Sequence, residues 1–133
     1  MKALLLSLLW SGPVLATDPC AGVERGVDDA ASAQLAPLIG RHLGLRGVRI
    51  LDALRSGDWR AFVIGARDAD DSVVLYSGDP VTTRQTEAIG TFALPDGEKA
   101  IRTWLVENHG DMPLPLAGCV AHRVARLTAS QAR

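Results

Sequence analysis

Hydrophobic and polar positions change their spacing several times along this chain. Residues 28–43 carry Leu35, Leu38, Ile39 and Leu43 on one stripe, with His42 beside them, which is helical spacing. Asp28 and Asp29 suit the positive N-terminal end of that helix and Gly44 suits its exit, while Pro37 removes a backbone donor and is expected to kink it or to mark where its regular part begins. The period then shortens. Residues 48–55, 59–66, 73–77 and 86–93 are short runs rich in β-formers, divided by turn residues, and read as four strands. Ser56-Gly57-Asp58 and residues 67–72 are short enough to join neighbours as hairpins, and Gly78-Asp79-Pro80 stops the third run, so an antiparallel meander follows. The second run carries Trp59, Ala61 and Val63 on one face and Phe62 and Ile64 on the other, as a central strand covered on both sides would.

Downstream, Pro95-Asp96-Gly97-Glu98 precedes a stripe of Ala100, Ile101, Trp104 and Leu105, with Glu98 and Arg102 four apart on the wet side. This predicts a second helix, capped by Asp96, ended at Gly110, and unable to run on through Met112-Pro113-Leu114-Pro115. In residues 119–127, Val120, His122 and Val124 alternate with Ala121, Arg123 and Ala125, which reads as a last strand. The resulting order is α-β-β-β-β-α-β. It lacks the strict strand–helix alternation of a parallel fold and predicts an α+β domain: an antiparallel sheet of about five strands with two helices packed on one face.

Composition sets the scale. With 133 residues, 47% of them hydrophobic and 22% charged, the chain suffices for one small core but not for two. Its 14 basic and 15 acidic residues give a formal charge of -1, so no global field draws it to nucleic acid. Lys2 followed by the apolar run 4–10, broken at Ser11-Gly12-Pro13 and closed by Val14-Leu15-Ala16, has the pattern of a secretory leader, with cleavage expected after Ala16. The run is too short to cross a bilayer, so no stable membrane anchor is expected once the leader is gone. The expected organisation is a signal peptide over 1–16 and a single domain over 17–133, in the periplasm or outside the cell. Cys20 and Cys119 are then expected to pair as a structural disulfide, since they lack the CxxC spacing of a redox site and an exported chain matures where thiols are oxidised.

Chemistry-bearing motifs are sparse. Asp68, Asp70, Asp71 and Asp79 have the alternation of a calcium loop, but Val73 stands where its glycine belongs, and a solvated turn accounts for them better. His42, His109 and His122 fall on different predicted elements without metal-ligand spacing, and no serine lies in GxSxG or SxxK. No cofactor and no catalytic residue is assigned. The residue types suited to gripping a partner are Tyr76, Arg60, Arg84, His122 and Arg123, whereas Trp59 and Trp104 are expected in the core.

Asp58-Trp59-Arg60 opening a strand, Tyr76-Ser77-Gly78-Asp79-Pro80, the helical residues 101–104, and Pro113-x-Pro115-Leu116-Ala117-x-Cys119 together resemble a loose group of small exported bacterial proteins of unknown function. The resemblance spans residues 59–124 and implies a fold and a compartment, but no activity. The expectation is a non-enzymatic binding protein with a protein partner, of the inhibitor or immunity type. The alternative is a small hydrolase or small-ligand-binding protein with a pocket near His122.

Overall fold

The computed structural model describes residues 18–90 and 97–131. The expected leader, the Asp96 cap and the end of the fourth expected strand lie outside the described residues. Five antiparallel strands, β1 (Glu24–Arg25), β2 (Arg49–Ser56), β3 (Trp59–Ala66), β4 (Ala69–Tyr76) and β5 (Glu87–Ile89), form one sheet in the order β1-β2-β3-β4-β5. With the helices α1 (Asp29–Leu43), α2 (Glu98–Asn108) and α3 (Leu114–Gln131), this is an α+β fold.

β3 is central and buries both its faces, because its apolar residues do not alternate with polar ones. Trp59, Ala61 and Val63 pack with Leu75 against Leu105 of α2 and Leu116, Val120 and Val124 of α3. Phe62 and Ile64 point the other way, with Val74 and Tyr76, into a second cluster with Ile39 of α1. The helices therefore flank the sheet on both faces, one against two, where the chain's pattern predicts two helices on one face.

The extra helix is α3. Residues 119–127, expected as a strand, are helical: Leu116, Ala117, Val120, Ala121 and Val124 recur at three- and four-residue spacing and are buried. Pro113 and Pro115 do not block it, because the first turn of a helix has N–H groups with no intrahelical partner and tolerates proline. The fifth strand is instead β1, paired with β2 at Glu24↔Arg55 and Arg25↔Leu54. β4 begins at Ala69 rather than at residue 73, so Asp68 sits in the turn and Asp70 and Asp71 lie on the strand.

α1 starts and stops as expected. Asp28 accepts the Ala31 N–H at 2.7 Å and Gly44 closes the helix in the left-handed conformation, with Pro37 inside an unbroken run. α2 departs from expectation at its end, where His109 and not Gly110 is the C-terminal cap. The register of β2 against β3 steps between Ile50 and Asp52, so Leu51 is an extra residue. That bulge lets Ile50 and Ala53 both face α1 while Asp52 turns to α3. Cys20 and Cys119 form a disulfide with a Cα–Cα distance of 4.5 Å, tying the segment before β1 to the N-terminal part of α3 across 99 residues. No helix among the described residues is long and apolar enough to cross a membrane.

Candidate functional site

The connection from β4 to β5, residues 77–86, is ordered by its own polar groups. Asp79 is the organiser: its Oδ1 accepts the Val81 N–H at 3.0 Å, and its carbonyl accepts the N–H groups of Thr82 and Thr83 and the Thr83 hydroxyl. The base is closed by Thr86, whose N–H donates to the Leu75 carbonyl and whose hydroxyl oxygen accepts the Ser77 N–H. Gln85 anchors the far side by donating to the His42 carbonyl of α1. A loop held this way projects Val81, 69% exposed, with Arg84 exposed three residues on. Gly78-Asp79-Pro80 is thus more than a stop signal for β4.

On the α1 face of the sheet, antiparallel register places Glu24, Arg55, Arg60 and Tyr76 side by side on four successive strands. Tyr76, expected as a surface contact, is buried, and its hydroxyl lies 2.8 Å from His42 Nδ1. Removal from water pushes the phenol up to about 12, since the phenolate would be charged in an apolar surround. Arg60 and Arg55 both line a cavity of about 180 Å³ between α1 and the sheet.

The opposite face holds the other candidates. Asp52 Oδ2 receives Arg25 from β1 at 3.2 Å and Arg123 from α3 at 3.3 Å, so Arg123 serves as a brace between the helix and the sheet. His122 Nδ1 lies 3.1 Å from Glu98 Oε2, joining α3 to the start of α2. Both side chains are open to solvent, at 29% and 47% exposure, so this pair lacks the low-dielectric surround that sharpens acid–base chemistry. A groove of about 500 Å³ that Glu98 helps to line runs past Asp18, Arg102 and Gly118.

His109 is held edge-on by both Trp59 and Trp104, at centroid distances of 5.6 and 6.0 Å, and its Nε2 is 3.6 Å from Glu87 on β5. The core role expected of the two tryptophans is thereby a clamp on the cap of α2.

Of the five residues singled out by type, register brings together only Arg60 and Tyr76; Arg84 lies in the exposed loop, while His122 and Arg123 occupy α3. Sequence reasoning missed Arg55, Glu24 and Val81. Arg55 and Glu24 were recoverable only from strand register; Val81 carries a signal in the turn former Asp79 just before it. No family model, curated protein or solved structure matches the chain.

Proposed function

We propose that this chain is an exported, non-enzymatic binding protein that acts on a protein partner, as an inhibitor or immunity-type protein does, in the periplasm or outside the cell. The observation that carries this reading is the β4–β5 loop. An apolar residue more than two-thirds exposed is held out by a loop whose backbone is already fixed by Asp79 and Thr86. A contact ordered before binding loses little conformational entropy on docking, which is how recognition loops gain affinity. Arg84 adds a residue type enriched at interface hot spots. The Cys20–Cys119 bond supports export, since such bonds persist where thiols are oxidised.

The test is retention from an envelope extract and culture fluid on the immobilised, oxidised chain, beside Val81→Asp and Arg84→Glu variants. The reading expects a protein retained by the native chain and depleted about tenfold or more by either variant, as a loss of about 1.4 kcal/mol produces, with their urea midpoints unchanged. Retention of nothing, or equal retention by all three chains, contradicts it.

A second reading, a small hydrolase or ligand-binding protein, is favoured by the His122–Glu98 contact beside the groove that Glu98 lines. Turnover of chromogenic esters or glycosides, lost in His122→Gln, would support it. A native chain that turns over none of them counts against the hydrolase form.

A further inference from the structure

The Arg55–Arg60 pair carries an inference that does not rest on the loop. The two residues are direct cross-strand partners on the β2–β3 hairpin. Like charges placed opposite each other on neighbouring strands repel, and a hairpin bears that cost unless an anion lies between them. Among the described residues neither guanidinium has a carboxylate within 4.0 Å: Glu24 is the register partner of Arg55 but makes no ion pair with it, and Arg60 is flanked on its other side by the buried Tyr76.

Both arginines line the same cavity, whose walls include Val27, Leu35 and Phe62. Its volume of about 180 Å³ is close to that of a cavity able to take up benzene, roughly 150 Å³. The lining is mixed: two planar forks, suited to the two oxygens of a carboxylate, share a cleft of about one ring's volume with the apolar Val27, Leu35 and Phe62.

We infer that this cleft binds a carboxylate carrying a short apolar group, with Arg55 and Arg60 on the carboxylate and the apolar group between α1 and the sheet. The same chemistry is offered by a free aryl or branched-alkyl acid and by the C-terminal carboxylate of a protein ending in an apolar residue.

The experiment is calorimetric titration of the oxidised chain with benzoate, benzamide and inorganic phosphate, and with the peptide Gly-Gly-Gly-Phe bearing a free or an amidated C-terminus. Saturable binding of benzoate or of the free-ended peptide is expected, with the neutral analogue and phosphate each weaker by about tenfold or more. Tighter binding of the peptide assigns the cleft to a chain end, and tighter binding of benzoate assigns it to a free acid. Arg60→Gln and the more exposed Arg55→Gln should each weaken binding about tenfold, Glu24→Gln should strengthen it, and Arg126→Gln on α3 should leave it unchanged. Arg55→Gln removes one of two opposed charges and should fold at least as stably as the native chain, so its binding remains readable if Arg60→Gln does not fold. Benzamide binding as tightly as benzoate, phosphate binding as tightly as either acid, binding unaffected by Arg55→Gln, or no saturation by either acid would overturn the inference.

Discussion

Tyr76 is the chain's one tyrosine, so its ionisation can be followed without interference. Its raised pKa means that the folded state holds the phenolic proton more tightly than the unfolded chain, in which tyrosine titrates near its ordinary value of 10.0. The associated stability is fully present below pH 10 and is lost as pH rises towards 12, because the unfolded chain gives up its proton first. Absorbance at the phenolate band should therefore stay flat past pH 10 in the native protein, whereas titration near pH 10 would place Tyr76 in water. Tyr76→Phe keeps the ring in the core but removes the hydroxyl beside His42. It should cost about 1 kcal/mol by urea denaturation, the net value of one such bond. A residue type alone could not reveal this: tyrosine is suited to an interface, and only its place on β4 opposite α1 puts it inside.

At the scale of elements, the chain leaving α1 at the Gly44 cap folds back against the helix at Gly40. A Cβ at Gly40 would lie 2.9 Å from the Leu45 carbonyl oxygen, a backbone atom fixed by the Gly44 cap, and 3.3 Å from Val48. Helix propensity alone favours Gly40→Ala by roughly 1 kcal/mol. Overpacking costs about 1–3 kcal/mol, so the substitution should lower the urea midpoint despite the better helix former. A raised midpoint would show that the close approach is absent. Asp52→Asn should cost about 1–3 kcal/mol, because it strips two guanidiniums of their shared carboxylate and loosens β1 and α3 from β2 together. Double-mutant cycles with Arg25→Gln and Arg123→Gln would apportion that loss.

These elements also show what was legible in the chain. α1, β2, β3 and the hairpin turn follow from local pattern and turn chemistry, and the structure has them, with the turn expected at Ser56-Gly57-Asp58 narrowed to Gly57-Asp58 because Ser56 pairs with Trp59. α3 was hidden because residues 119–127 satisfy both periods over a short window. The longer repeat that begins at Leu116 decides for a helix, and the two prolines at its start concealed that repeat. The partners Glu24, Arg55 and Arg60 were beyond local reading because pairing between strands is set by register, and β1, only two residues long, has no pattern of its own.

For the molecule as a whole, the disulfide bridges a separation of 99 residues and joins α3 to the segment entering β1 on one side of the sheet. Closing a loop of about 100 residues is worth about 4 to 5 kcal/mol on the chain-entropy account. The double variant Cys20→Ala, Cys119→Ala should lose stability of that order, and thiol reduction of the native chain should lower its melting temperature to match. If both leave the midpoint unchanged, the bond is not what secures α3 to the segment entering β1. The most direct test of the central claim, a chain exported, trimmed and clamped before it meets a partner, is the intact mass of the protein recovered from its native compartment. The account requires a chain beginning at Thr17 with Cys20 and Cys119 joined; a retained leader, or two free thiols, would contradict it.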